Sequence, residues 1–136
     1  MDPFIKASIR YFLRKRIQHL TLFVTSRCNN RCKICFVDFE KFDKENDLTL
    51  DEIKEIKKVL GSVPILNIGG GEPFLREDLA DIVKIFSDAG TIGIPTNGWH
   101  TEKVIEGLKN IFRYINVKQI GLMVSIDGFE NTHDYI

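Results

Sequence analysis

The apolar positions along this chain switch between two periods. Leu20-Thr21-Leu22-Phe23-Val24-Thr25 is a β-branched and aromatic run that predicts a strand. From Leu50 the period becomes helical, with Leu50, Ile53, Ile56 and Leu60 on one face and Gly61 as the stop. Thr49 and Glu52 have the spacing of a capping box, in which hydroxyl and carboxylate reciprocally satisfy free backbone N–H groups. Ile65-Leu66-Asn67-Ile68 predicts a second strand running into Gly69-Gly70-Gly71. Leu79, Ile82, Val83 and Phe86 mark a second helix stopped by Gly90, and Thr91–Ile94 a weaker third strand. Val104, Ile105, Leu108, Ile111 and Phe112 mark a third helix, and Ile120–Ile126 a fourth strand.

Ahead of this alternation, residues 1–19 predict a basic amphipathic helix. Phe4, Ile5, Ile9, Phe12, Leu13 and Ile17 recur at helical spacing among Lys6, Arg10, Arg14, Lys15 and Arg16. Such a helix can lie on a membrane surface or a partner. It can equally pack on the domain with its charges in water, which is the commoner outcome of so general a pattern. The stretch from Asp38 to Asp47 is charged and loop-like. The rest, residues 20–136, reads as one unit without linkers or low-complexity segments.

Strand and helix repeat at about 30 residues per unit, which implies parallel strands joined by crossovers. An open doubly wound sheet and part of a (β/α) barrel both fit this α/β pattern. The composition is that of an ordinary globular protein. With 19 basic and 19 acidic residues the net charge is zero, which argues against a nucleic-acid binder. No apolar run approaches the length of a transmembrane segment, and no secretory signal is visible, so a cytoplasmic location is expected.

Chemistry-bearing residues cluster at the strand ends. After the first strand come Ser26, Arg27 and all three cysteines, Cys28, Cys32 and Cys35. After the second come Gly70, Gly71, Glu72 and Pro73; after the third, Pro95, Thr96, Asn97 and Gly98; at the end of the fourth, Ser125, Asp127 and Gly128. Parallel strands put their carboxyl ends on one face, so these motifs converge on one patch. An odd number of closely spaced cysteines makes a poor disulfide framework and a better metal or cluster site. Thiolates suit iron–sulfur clusters and zinc. Structural zinc wants four protein ligands, and none of His19, His100 and His133 stands in a ligand pattern with the cysteines. Three thiolates on a cubane leave one iron open. Arg27, Arg31 and Lys33 are placed to offset the negative charge of such a group. The glycine run matches neither G-x-G-x-x-G nor the Walker A pattern, so a phosphate cradle is not indicated.

The C-x3-C-x2-C loop after a first strand, followed by Gly-Gly-Glu-Pro after a second, resembles the radical S-adenosylmethionine (radical SAM) superfamily. Thr25-Ser26-Arg27-Cys28-Asn29, Thr96-Asn97-Gly98 and Ser125-Ile126-Asp127-Gly128 resemble further signatures in the same order. The resemblance implies a partial (β/α) TIM-like barrel of about four parallel strands, short of the family's six-unit core. It implies a [4Fe–4S] cluster on Cys28, Cys32 and Cys35, with SAM chelating the fourth iron. Gly70, Gly71, Glu72 and Pro73 would meet the methionine amino group. Thr96, Asn97, Ser125 and Asp127 would face its carboxylate or the ribose. The activity implied is reductive cleavage of SAM to methionine and a 5′-deoxyadenosyl radical, which takes hydrogen from a substrate. An external one-electron reductant and a peptide or cofactor-precursor substrate are the partners implied.

The family's aromatic residue before the third cysteine is replaced by Ile34, with Phe36 just after. Four strands cannot close a barrel, and the fourth is expected to be a bare parallel edge. Two alternatives follow. One is a non-catalytic iron–sulfur or zinc module for binding or electron transfer. The other is a half-barrel completed by a second copy or a partner, that is, a homo-oligomer or complex.

Overall fold

The computed structural model describes residues 5, 17–36, 47–133 and 135. Strands and helices alternate as β1 (His19–Thr25), α1 (Leu50–Leu60), β2 (Ile65–Gly70), α2 (Leu79–Ile85), β3 (Thr91–Thr96), α3 (Thr101–Ile111), β4 (Ile120–Val124) and a short α4 (Glu130–His133). Single 3₁₀ turns at Pro73–Leu75 and Val117–Gln119 precede α2 and β4. The helix expected over residues 1–19 falls almost wholly outside the described residues, as does most of the charged stretch before Asp47. His19 already belongs to β1.

The four strands form one parallel sheet in chain order, β1-β2-β3-β4. A doubly wound sheet reverses its order at a switch point; this one does not. Each crossover steps one strand along, as in a (β/α) barrel. The expected partial barrel is therefore the observed architecture.

One sheet face carries the core. Leu22, Val24, Leu66, Ile68, Ile92 and Ile94 are buried against Ile53 of α1, Ile82 and Val83 of α2, and Val104 and Ile111 of α3. Burying each such side chain stabilises the fold by about 2 kcal/mol relative to exposure. The alternate residues face the other way and stay open. On that face Phe23 is 53% exposed and Met123 47%. In a closed barrel this face would be the interior.

Local chemistry sets the helix ends. At α1 the Thr49 hydroxyl accepts from the Glu52 N–H (3.2 Å), and the Thr49 N–H donates to the Glu52 carboxylate (2.8 Å). The Thr49 N–H and hydroxyl, both donating to Glu52 Oε2, hold the Glu52 carboxyl below its ordinary range. Gly61 ends the helix at φ 69°, a left-handed conformation that disfavours a side chain.

The second helix departs from its expected end. It stops at Ile85, because the Phe86 N–H turns back to the Val83 carbonyl (3.0 Å) and Ala89 to Phe86 (2.8 Å). These tight turns accompany complete burial of Phe86. Gly90 instead opens β3: its N–H and that of Thr91 both donate to the Pro64 carbonyl. β4 ends at Val124, two residues short of the expected limit. Among the described residues, no strand pairs with its outer side.

Candidate functional site at the carboxyl ends of the strands

Four loops meet above the carboxyl ends of the strands, and the first three are joined by buried polar contacts. The earliest contact arises inside β1. Phe23 pairs with Gly69 and Thr25 with Gly70, so Val24 is an extra residue, a bulge. Its carbonyl accepts from Arg76 Nη1 at 2.6 Å. Arg76 is itself buried and donates to both oxygens of Asp78, from Nε at 2.6 Å and from Nη2 at 3.0 Å. This two-point pairing with the Arg76 guanidinium holds the Asp78 carboxyl below the usual carboxylate range.

The glycines after β2 lie directly on the root of the cysteine loop. Gly71 N–H donates to the Thr25 carbonyl and Glu72 N–H to the Arg27 carbonyl, both at 2.8 Å. A Cβ on Gly71 would collide with the carbonyl oxygen of Arg27 and lie 2.8 Å from that of Ser26. A Cβ on Gly70 would collide with the Thr25 carbonyl, and Gly70 has φ +151° besides. The close approach that requires glycine is thus an approach to this chain's own backbone.

Glu72 is 3% exposed. Its Oε1 accepts from the Phe74 N–H (3.1 Å) and the Thr96 hydroxyl (3.0 Å), and its Oε2 from the Asn97 N–H (2.8 Å). One carboxylate therefore joins the second loop to the third. Thr96 in turn accepts from the Gly98 N–H at 3.1 Å. Pro73 starts the 3₁₀ turn that carries Phe74 inward, where its ring fills the space a Cβ on Gly107 would need.

The cysteine loop is anchored at its start. Asp47, with a side chain 10% exposed, accepts from the Thr25 hydroxyl (3.0 Å) and from Arg27 Nε and Nη2 (3.2 and 3.0 Å). Arg27, expected to offset a bound anionic group, is thereby already paired with an acid. Arg31 donates to the carbonyls of Cys28 and Asn30, and Lys33 Nζ sits 3.4 Å over the Tyr135 ring. Cys28 and Cys32 are half-buried and Cys35 exposed, and all three are free thiols. Phe36 packs edge-on against Phe23, centroids 6.1 Å apart.

The fourth loop is different. Its link to the third is the Ser125 N–H donating to the Thr96 carbonyl at 3.0 Å. Ser125 and Asp127 are both exposed. The Asp127 N–H donates to His133 Nδ1 at 3.3 Å.

The structure thus brings Cys28, Gly70, Gly71, Glu72, Thr96 and Asn97 together, with Ser125 and Asp127 at their margin. Reading the sequence missed Arg76, Asp78 and Asp47. Arg76 follows Gly-Gly-Glu-Pro by three residues and Asp47 precedes the capping box by two, which are the only local hints. Their partners lie 52 and 22 residues away.

The donor set suits a sulfur-rich anionic group. Around the loop the donors Ser26 Oγ and Asn29 Nδ2, and one acceptor, Asp47 Oδ1, are buried without a hydrogen-bond partner. Such orphaned donors cost about 1–3 kcal/mol each unless an acceptor arrives, and the sulfides and thiolates of a cluster are acceptors. Among the described residues no three His, Cys, Asp or Glu side chains gather around one point as a single metal ion needs. Three cysteines without a fourth protein ligand would suit a cluster with one open iron better than a structural zinc ion.

Comparison with known proteins gives concordant results. The family model described as the Radical SAM superfamily matches residues 22–136. The chain is 43% identical over 83 residues to an S-adenosylmethionine-dependent nucleotide dehydratase of Selenomonas ruminantium, covering 58% of this chain and 29% of the relative. It is 33% identical over 105 residues to a 7,8-dihydro-6-hydroxymethylpterin dimethyltransferase of Methanocaldococcus jannaschii, covering 73% and 19%. It is 35% identical over 103 residues to a GTP 3′,8-cyclase of Campylobacter jejuni, covering 71% and 32%. The chain thus matches between about a fifth and a third of the length of these relatives. A crystal structure of BtrN in an open conformation shares the fold, with TM-score 0.52, 19% identity, and coverage of 82% of this chain and 58% of that one.

Proposed function

The chain belongs to the radical SAM superfamily, and from that premise we propose that it holds a [4Fe–4S] cluster and SAM at the carboxyl ends of β1–β4 for reductive SAM cleavage. Cys28, Cys32 and Cys35 are the proposed cluster ligands. Gly70, Gly71, Glu72 and Pro73 form the proposed wall against the methionine amino group. Thr96, Asn97, Ser125 and Asp127 are the proposed contacts to its carboxylate or the ribose. The observation that carries this reading is the joining of the cysteine loop to the Gly-Gly-Glu turn by the paired Gly71 and Glu72 N–H groups.

A cluster held by Cys28, Cys32 and Cys35 would supply the electron for reductive cleavage of SAM to methionine and a 5′-deoxyadenosyl radical. The protein's part is positional. The bulge at Val24 and the Asp47 contacts aim the loop of thiols above the sheet. Glu72 holds the third loop against the second, so the SAM face is a single surface. The open sheet face beneath, with Phe23 and Met123, is the proposed approach for substrate. A peptide or a small cofactor precursor is the proposed substrate class, an external one-electron donor the proposed reductant, and the cytoplasm the proposed location, since thiols stay reduced there.

Anaerobic reconstitution with iron and sulfide, followed by reduction and EPR with and without SAM, tests the proposal. The expected result is a [4Fe–4S]⁺ signal that shifts on adding SAM; Cys32→Ala abolishes it. A cluster indifferent to SAM would support the electron-carrier alternative instead. A second reading rests on the open outer side of β4, which can accept a further parallel strand. If that strand comes from a second copy, the mass in solution is that of a dimer.

A further inference from the structure

Asn97 is held on three sides. Its backbone N–H donates to Glu72 Oε2 (2.8 Å), and its Oδ1 accepts from the Trp99 N–H (2.9 Å). Its Nδ2 donates to Asn29 Oδ1 at 2.8 Å and stands 3.8 Å from Cys28 Sγ. These contacts fix which way the amide points. Flipped, its carbonyl oxygen would face the Asn29 carbonyl oxygen, and its NH₂ would face the Trp99 N–H. The NH₂ carries two hydrogens. One serves Asn29, and the second is left for the sulfur. Cys28 Sγ also accepts from the Asn30 backbone N–H at 3.4 Å.

We infer that the side-chain amide of Asn97 is a hydrogen-bond donor to the Cys28 sulfur and thereby helps to set the reduction potential of the cluster held there. This rests on the cluster reading above. It assigns the Asn97 side chain to the cluster side of the site, leaving Ser125 and Asp127 to the SAM side. A donor on a ligand sulfur stabilises the more negative, reduced cluster most, so it raises the potential. Removing it makes reduction harder. The contact spans 69 residues of chain, so β3 reaches the cluster through this one side chain. Asn97 acts as a positioning residue, since it touches a ligand and not the reacting atoms.

The test is an EPR-monitored redox titration of the reconstituted protein without SAM, comparing the parent with Asn97→Asp and Asn97→Ser. Asp keeps the shape but removes both N–H donors and adds a negative charge that itself lowers the potential; Ser removes the reach without adding charge, so Asn97→Ser is the deciding variant. The expected result is an unchanged iron and sulfide content with a lower midpoint potential in both variants. For Asn97→Asp we expect a tenfold or greater fall in the reduction equilibrium constant, 59 mV for one electron. A cluster of equal content and unchanged potential in either variant overturns the inference and leaves the cluster reading standing. A parent that takes up no [4Fe–4S] cluster overturns both. Measuring SAM binding to the oxidised cluster separates the roles: an Asn97→Ser variant that loses SAM affinity at unchanged potential returns Asn97 to the SAM side.

Discussion

The ends of β1, β2 and β3 and the end of β4 are chemically similar in sequence and physically unlike. Each ends in polar residues, joined by glycine after β2, β3 and β4 and by the cysteines after β1. At the first three, buried or half-buried charged side chains tie the loops down: Arg76 to Val24 and Asp78, Asp47 to Thr25 and Arg27, Glu72 to Thr96 and Asn97. At β4, Ser125 and Asp127 are exposed, and one backbone bond joins Ser125 to β3. The same residue types thus make a rigid scaffold in one place and an open margin in the other. What differs is burial, because a polar contact removed from water must be complete to be tolerated. The three-loop scaffold is therefore expected to exist before any ligand arrives.

Breaking the scaffold should cost most at Gly71. Gly71→Ala forces a methyl group into the carbonyls of Ser26 and Arg27, and a loss of about 3 kcal/mol or more is expected in denaturant unfolding. Arg76→Met comes next. It keeps the aliphatic bulk but leaves the buried Val24 carbonyl unpaired, at about 2 kcal/mol by the same measurement.

Acid should act on the same contact. The Asp78 carboxyl is held below its ordinary value by Arg76. The stability this pairing adds is present above the unfolded carboxylate pKa of about 4 and is lost as pH falls through the lower folded value. An acid unfolding curve should therefore flatten in Asp78→Asn across that window. The effect should be smaller than that of Arg76→Met, because the Asp78 side chain is partly solvated.

The smallest stability effects belong to β4. Ser125→Ala and Asp127→Ala should shift unfolding by less than about 0.5 kcal/mol. If they nonetheless weaken SAM binding, the open margin is where ligand contact is made. If they unfold the protein as the scaffold variants do, the contrast between the two regions is wrong.

Much of this was legible along the chain. Periods of two and 3.6 placed all four strands and three helices, and the Thr49–Glu52 pair marked a helix start that the structure reproduces. The cysteine and Gly-Gly-Glu-Pro motifs pointed to one face because parallel strands share a polarity. Side-chain partners were not legible. Nothing in spacing says that Glu72 accepts three hydrogen bonds from its own chain, or that Arg27 is matched by an acid 20 residues on. Those pairings depend on which loops touch, and that is set by the sheet order. The bulge was also hidden, since Phe23-Val24-Thr25 reads as an unbroken strand.

That bulge makes the approach to the cysteines a question of odd and even. Two residues of β1, Val24 and Thr25, answer to one of β2. A strand alternates its faces at every residue, so one extra residue reverses which side everything after it addresses. Removing a single residue between Phe23 and Ser26 would hardly shorten the path to Cys28. It would reverse the face addressed by Thr25, whose hydroxyl is tied to Asp47 at the root of the cysteine loop. The bulge therefore decides from which side of the sheet the loop departs before it decides how far the loop reaches.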